Sequence, residues 1–124
     1  MFKTSEVIQI RKSDVSFEIR AQNGIDVIDI TGQLDAFTTP DVKAEFKKLT
    51  DDRHYKLVLN LKQVDYVNST GIGAVVAVAQ QVRRRKGDLK LYGMKEDIRK
   101  VFDLVGASKI LEIFETEQEA LNSF

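Results

Sequence analysis

Two neighbouring hydroxyl side chains, followed by glycines, are the residues of this sequence best placed for chemistry with another protein. Ser69 and Thr70 follow Asn68 and precede Gly71 and Gly73, between a short apolar run and a segment with helical periodicity. All three polar residues are favoured at helix N-caps, so we expect a helix to begin among them. A hydroxyl at the turn between a strand and a helix lies on the surface, where a second protein can reach and modify it.

Ser69 has two interpretations from its position in the sequence. It is either a residue that only caps the helix or the target of a covalent modification. Asn68 and Thr70 are also able to cap the helix, which makes a capping role for Ser69 redundant. A catalytic serine needs an adjacent general base, and no such base accompanies Ser69, so modification suits it better than nucleophilic catalysis. The spacing alone leaves both interpretations open.

The glycines invite comparison with a phosphate-binding loop. In a dinucleotide-binding fingerprint Gly71 and Gly73 would be followed by a third glycine, but that position is Val76. A P-loop would also need a lysine after its glycines, and none follows here. We therefore expect the two glycines to permit close approach, either by a neighbouring loop or by a partner surface.

The residues for a catalytic or metal site do not occur in a recognisable pattern. His54 is the single histidine and the chain has no cysteine, so the sequence offers too few ligands for a typical metal site. The aspartates with the residue type for acid–base work are Asp35, Asp41, Asp51, Asp52 and Asp65. None of them stands with a histidine or another base in a known arrangement. We predict that the protein is not an enzyme and holds no metal or cofactor.

The charge of the chain is balanced. Its 19 basic and 19 acidic residues give a formal net charge of +0, so no global field attracts nucleic acid or an anionic membrane. The run Arg83-Arg84-Arg85-Lys86 is expected to end a helix, where cations complement the dipole and Gly87 supplies a left-handed cap. The start lacks a signal-peptide core, and no apolar run approaches the ~20 residues of a membrane helix. We predict a cytoplasmic protein without nucleic-acid or membrane partners.

Hydrophobic periodicity and turn residues predict the elements that position Ser69. Residues 56–61 are typical of a buried strand, and Asn23-Gly24 predicts a hairpin over residues 16–31. The helix after Ser69 should bury a face made of Ile72, Val75, Val76, Ala79 and Val82. The other predicted elements are a helix from Thr39-Pro40 to about Leu49, a strand at 89–92, a helix at 96–105 capped by Gly106, a strand at 110–114, and a short helix opened by a capping box at 116–119.

Helices that alternate with strands imply crossover connections and a mixed sheet. We therefore predict an α/β fold with a mixed β-sheet of four to five strands covered by about four helices. A length of 124 residues and a hydrophobic fraction of 43% fit one domain with one packed core. This domain is expected at residues 15–124. Residues 1–14 are expected to form an N-terminal extension or an extra strand.

Three motifs of this sequence resemble those of a known family. Asn68-Ser69-Thr70-Gly71-Ile72-Gly73 resembles the Asp-Ser-[Ser/Thr]-Gly-Leu-Gly motif of anti-sigma factor antagonists, which belong to the STAS (sulphate transporter and anti-sigma antagonist) class. Gly32-Gln33-Leu34-Asp35 resembles the family's Gly-Glu-Leu-Asp, and Val101-Phe102-Asp103-Leu104-Val105-Gly106 resembles its late helix. The resemblance spans about residues 16–121. Asn68 and Gln33 replace the acidic residues of the family motifs.

The resemblance implies a STAS domain that works as a phosphorylation-gated partner. In such proteins the unmodified serine form binds an anti-sigma factor that is also a serine kinase, and so frees a sigma factor. Phosphorylation of the serine, here Ser69, releases the kinase, and a PP2C-type phosphatase resets the switch. The implied partner surface comprises Asp35, Asn68, Ser69, Thr70, Gly71 and Gly73, on a protein that is a monomer when free. The alternative is a non-switching STAS scaffold subunit of a sensory or transport complex.

Overall fold

The apolar runs assemble into one five-stranded sheet in the computed structural model, which describes residues 14–124. The strands lie in the order β1-β2-β3-β4-β5; β1 is antiparallel to β2, and the other neighbours are parallel. The strands are β1 (Val15–Gln22), β2 (Ile25–Leu34), β3 (Lys56–Val67), β4 (Asp88–Tyr92) and β5 (Glu112–Phe114). The helices are α1 (Thr39–Asp51), α2 (Ser69–Arg84), α3 (Glu96–Leu104) and α4 (Glu117–Asn122). The predicted α/β fold with a mixed, helix-covered sheet is confirmed.

The sheet is covered on both faces, as its parallel strands require. On one face α1, α2 and α3 pack over a large apolar core that includes Phe46, Val75 and Phe102. On the other face, α4 places Ala120 in a smaller cluster with Val58 and Tyr92. Alternate side chains of β3 point to opposite faces of the sheet. Leu57 and Leu59 therefore lie in the large core, and Val58 lies in the smaller cluster.

Local turn chemistry is in large part as expected. Asn23 and Gly24 both have positive φ, 54° and 82°, which is the backbone of a two-residue hairpin turn between β1 and β2. Thr116 and Glu119 form the predicted capping box of α4. Gly106 has φ 80° after α3, in the left-handed conformation that ends many helices.

Two strands run further than the periodicity indicates. β2 continues to Leu34 and β3 to Val67, and these two residues pair with each other. The register between the strands shifts between Asp29 and Thr31 and again between Gly32 and Gln33. Such irregularities interrupt the alternation of apolar and polar residues, so the sequence no longer shows a strand pattern where the two strands remain paired. The extension matters because it carries the chain directly to the start of α2.

Three predicted helix and strand ends are wrong. The Thr39-Pro40 pair predicts Thr39 as the N-cap, but the N-cap of α1 is Thr38, which makes no side-chain capping hydrogen bond, and Thr39 is the first helical residue. The left-handed residue after α2 is Lys86, with φ 66°, and not Gly87. A Cβ on Gly87 would lie 2.0 Å from the Tyr55 carbonyl oxygen, so close approach is what requires glycine there. β5 is shorter than residues 110–114 because a 3-10 helix precedes it.

The N-terminal extension or extra strand predicted at residues 1–14 lies outside the described residues except for Asp14. Among residues 14–124, no helix combines the length and apolarity needed to cross a membrane.

Candidate functional site

The polar stretch after β3 begins α2 as expected. Asn68 is the N-cap, and its side-chain oxygen accepts hydrogen bonds from the N–H groups of Thr70 (3.1 Å) and Gly71 (3.2 Å). Ser69 and Thr70 are the first two residues of the helix, and both are exposed. Because Asn68 supplies the cap, Ser69 is not needed for it, and its exposed hydroxyl is accessible to another protein.

The start of α2 is fixed against the end of β2. The Asn68 N–H donates to the Leu34 carbonyl oxygen (3.1 Å). A Cβ on Gly71 would lie 2.1 Å from that same oxygen and 2.8 Å from the Asp35 nitrogen. Only glycine permits this contact without movement of the backbone. Gly71 therefore permits the close approach of a neighbouring loop, which is one of the two roles expected for the glycines.

Gly73 has a different environment. It is exposed, and a Cβ placed on it would have no heavy atom within 4 Å. No intramolecular contact therefore requires glycine at this position. A bare backbone on the exposed side of a helix permits close approach by another molecule, which is the second of the two expected roles.

Asp35 lies next to Gly71 through its main chain, but its carboxylate is directed into its own turn. The residue is 8% exposed, and its Oδ1 accepts hydrogen bonds from the N–H groups of Phe37 (2.9 Å) and Thr38 (3.0 Å). The Asp35 carbonyl oxygen also accepts from the Thr39 hydroxyl (2.7 Å). These bonds order the turn before α1, which leaves Phe37 76% exposed. The turn presents an aromatic ring rather than a carboxylate.

An apolar groove runs along α2 from Ser69. It lies between α2 and the segment that follows α3, and its volume is about 370 Å³. We call it the α2 groove; it is lined by Ser69, Ile72, Gly73, Val76, Ala77, Gln80, Val105, Ala107 and Ile110. Next to Val105, Leu104 is 84% exposed. The expectation that Val76 belongs to the buried face is wrong in part, because Val76 only touches the core and also lines this groove.

The electrostatic surroundings of Ser69 are simple. The first turn of α2 contains no acidic residue, and the cap beside Ser69 is a neutral amide. The N–H groups of Thr70 and Gly71 are bonded to the Asn68 side chain, and that of Ile72 to the Asn68 carbonyl oxygen (3.0 Å). The helix dipole would stabilise a new negative charge on Ser69, and no carboxylate of the same turn would repel it. Three of the nearby N–H donors are already hydrogen-bonded to Asn68.

Sequence reasoning missed a polar network on the opposite face of the sheet. Arg20 donates to Asp29 (2.7 Å) and to Glu117 (2.8 Å), and the Tyr92 hydroxyl also donates to Glu117 (2.8 Å). The Arg20 bonds lower the pKa of both Asp29 and Glu117, while burial and the bond to Glu117 raise the pKa of Tyr92. The hairpin register places Arg20 diagonally opposite Asp29, so the sequence contained a signal for that pair alone.

His54 also has partners that the sequence did not indicate. Its Nδ1 lies 2.6 Å from Asp26 Oδ2, and its Nε2 lies 3.1 Å from Asp52 Oδ2. The hydrogen bond to Asp26 raises the pKa of His54 above its usual value. His54 precedes β3 whereas Ser69 follows it, so the two lie at opposite ends of the strand. His54 is therefore not a base for Ser69.

Comparison with known proteins shows related sequences and folds. The sequence matches the STAS domain family over residues 16–120. The anti-sigma-B factor antagonist of Listeria monocytogenes is 33% identical over 108 residues, which cover 86% of this chain and 94% of that protein. The crystal structure of an anti-sigma factor antagonist from Mycobacterium paratuberculosis has a TM-score of 0.79 at 20% identity, over 88% of this chain and 92% of that one. The phosphorylated form of SpoIIAA from Bacillus has a TM-score of 0.65 at 21% identity, over 87% and 98%.

Proposed function

Because the chain belongs to the STAS domain family, we propose that it is an anti-sigma factor antagonist whose binding is switched at Ser69. The unmodified form binds an anti-sigma factor that is also a serine kinase, and the bound sigma factor is set free. The kinase uses ATP to phosphorylate Ser69 and then dissociates, and a PP2C-type phosphatase restores the hydroxyl. The single observation that best supports this proposal is the exposed Ser69, adjacent to a cap that Asn68 supplies.

The surface around Ser69 has the composition of a protein-binding site. Thr70 and Gly73 are exposed beside it, and the α2 groove opens from it. Leu104 at 84% exposure and Phe37 at 76% add large apolar side chains at the surface. Large exposed apolar side chains are typical of surfaces that a partner covers. We assign the partner surface to Asn68, the residues just named and the α2 groove, with Asp35 and Gly71 holding the backbone beneath it.

Charge explains how phosphorylation would release the partner. A phosphate adds about −1.5 to −2 charge at neutral pH. The complementary surface of the kinase is matched to a neutral hydroxyl and an apolar groove, so we expect it to offer no cation that compensates the charge. An uncompensated charge in a contact costs about 2–5 kcal/mol, which corresponds to a loss of tens- to thousands-fold in affinity. Release then needs no change in the fold.

The role requires no catalysis by this chain. Ser69 receives the phosphate, and the chemistry belongs to the kinase and the phosphatase. The proposed partners act on ATP and on transcription, so we place the protein in the cytoplasm. We expect the free protein to be a monomer whose partner surface is available.

A phosphorylation assay tests this proposal against the scaffold alternative. The protein is incubated with ATP and a serine kinase encoded beside it, and the phosphate is located by mass spectrometry. We expect one phosphate, on Ser69, with no incorporation into Ser69→Ala and full incorporation into the matched control Thr70→Ala. Incorporation into Thr70 instead would contradict Ser69 as the acceptor, and no incorporation with any co-encoded kinase would favour a scaffold that does not switch.

A further inference from the structure

A second concave site lies at the end of the domain opposite Ser69. Three turns meet there: the β1–β2 hairpin at Gly24, the α1–β3 connection at residues 52–55 with Lys56 at the start of β3, and the α2–β4 connection at residues 85–87. The cavity between them has a volume of about 390 Å³, within the range of small-ligand sites. The 16 residues of α2 separate it from Ser69, a distance of roughly 24 Å at 1.5 Å per residue. We call this cavity the basic pocket.

Cations outnumber anions around the basic pocket. Its cationic side chains are those of Arg53, Lys56, Arg85 and Lys86. Its two carboxylates, Asp26 and Asp52, are both in contact with His54, whose ring bridges them. The raised pKa of His54 favours the imidazolium form, which offsets one of the two negative charges. The carboxyl ends of α1 and α2 add about half a negative charge each, so the pocket as a whole remains positive.

Among the described residues, the four cations have no carboxylate partners, whereas several other cations of the domain are paired. Lys47 pairs with Asp51 (2.8 Å), and Arg83 pairs with Asp88 (2.8 Å). Within residues 14–124, none of the four pocket cations lies within ion-pair distance of a carboxylate. Like charges gathered around one cavity repel one another, and a bound anion would relieve this repulsion.

The walls of the basic pocket are fixed by the fold. The Asp88 N–H donates to the Tyr55 carbonyl oxygen (3.0 Å), and Gly87 packs so tightly on Tyr55 that no larger residue fits. The Arg85 guanidinium lies 5.8 Å from the centre of the Tyr55 ring, in a cation–π contact. The His54 N–H donates to the Leu49 carbonyl oxygen (2.9 Å) and anchors the other wall to α1. The backbone of these walls is therefore fixed before a ligand enters.

We propose that the basic pocket binds a small anion that carries two or more phosphate groups. Two guanidinium groups, of Arg53 and Arg85, offer the planar fork that matches phosphate oxygens, and Lys56 and Lys86 supply point charges beside them. The volume of about 390 Å³ fits a compact polyphosphate better than an extended acidic peptide, which would need a longer groove. Because α2 separates this site from Ser69, its ligand and a partner at Ser69 can be bound together.

Titration of the full chain with inorganic triphosphate at low salt tests the proposal. Calorimetry and backbone amide NMR should show one saturable site, with shifts concentrated at residues 53–56 and 85–87. Arg85→Gln should weaken binding roughly three- to tenfold, the usual effect of losing one guanidinium–phosphate contact. Arg84→Gln is the matched control, because Arg84 is the adjacent exposed arginine, at the last position of α2, and does not line the pocket. Lys56→Gln provides a second variant on a different wall.

Three outcomes would overturn the proposal. Equal weakening by Arg84→Gln and Arg85→Gln would show diffuse attraction to the end of α2. An absence of saturable binding would show that the cations are only solvated. Binding of a glutamate-rich peptide in place of triphosphate would assign the pocket to an acidic protein segment. The titration uses the unphosphorylated protein without any kinase, so its failure would leave the proposed switch at Ser69 unaffected.

Discussion

The two glycines of the Ser69 motif are expected to respond oppositely to the same substitution. In Gly71→Ala the new Cβ would lie 2.1 Å from the Leu34 carbonyl oxygen and 2.8 Å from the Asp35 nitrogen. The first distance is roughly 1.5 Å shorter than a normal van der Waals contact. The neighbouring atoms are backbone, which cannot rotate away as a flexible side chain can. The start of α2 and the end of β2 must therefore separate.

The size of the effect follows from this overlap. Overpacking costs about 1–3 kcal/mol, and displacement of paired backbone places Gly71→Ala at the upper end of that range. Replacing glycine by alanine inside a helix also stabilises the folded protein by up to about 1 kcal/mol, which offsets part of this loss. We expect a net loss of about 2–3 kcal/mol, or roughly 8–12 °C in Tm for a domain of this size. In Gly73→Ala the Cβ meets nothing within 4 Å, so the helix gain remains and Tm should rise by a few degrees.

Thermal and urea unfolding of the two variants measures the difference. The pair is well matched, because both variants lose the same glycine freedom in the unfolded chain and differ in the folded surroundings. The proposed kinase provides a second assay. Gly73→Ala should bind it more weakly despite its higher Tm, because the added methyl group stands on the proposed partner surface. A wild-type Tm for Gly71→Ala would refute the close approach of α2 and β2, and unchanged kinase affinity of Gly73→Ala would remove Gly73 from the interface.

Three further substitutions test the core and the His54 bridge. Val75→Asp should lower the free energy of unfolding by about 3 kcal/mol or more, because it places a charge at a fully buried position. Val76→Asp, at the edge of the α2 groove, should lower it much less. Chemical unfolding measures both variants, and equal losses of stability would contradict the placement of the groove. The pKa of His54 is raised in the folded state, so its contribution to stability is complete below the unfolded pKa of about 6.5 and is lost as pH rises through the folded pKa. His54→Gln should therefore lower Tm more at pH 5.5 than at pH 8.5, and a pH-independent loss would show that the Asp26 contact is not an ionic one.

Much of the fold follows from local signals in the sequence. The Asn23-Gly24 turn, the Asn68 cap and the Thr116 capping box each depend on a few adjacent residues, and the structure contains all three. The apolar runs of β3 and β4 are continuous because helices cover both faces of these strands. Local chemistry of this kind is readable without knowledge of the tertiary contacts.

Features that depend on contacts between residues distant in sequence could not be predicted from local patterns. The sequence predicts Gly87 as a helix cap, but glycine is required there because any side chain would collide with Tyr55 in the α1–β3 connection. Val76 fits the apolar spacing of α2, yet the segment after α3 leaves it at the edge of a groove. Arg20 and Glu117 are 97 residues apart, and only the packing of α4 on the sheet brings them together. The proposed partner surface at Ser69 combines both kinds of signal, because the motif is local in sequence and the groove depends on distant contacts.

The stability of the phosphorylated protein separates the proposed switch from simple unfolding. The phosphate would lie at the start of α2, where the helix dipole favours negative charge by about 0.3–1 kcal/mol. No acidic residue of the first turn opposes it, and Asn68 already holds the N–H groups of Thr70 and Gly71. We therefore expect the Tm of the phosphorylated form to equal that of the unmodified form or to be slightly higher.

The most direct test is calorimetry of kinase binding, with a thermal melt, on pure unmodified and Ser69-phosphorylated protein. Ser69→Ala should bind like the unmodified protein and should not be released by ATP. The proposed switch predicts a loss of affinity of tens- to thousands-fold at an unchanged or slightly higher Tm. Equal affinity of the two forms, or a loss of affinity accompanied by unfolding, would contradict it.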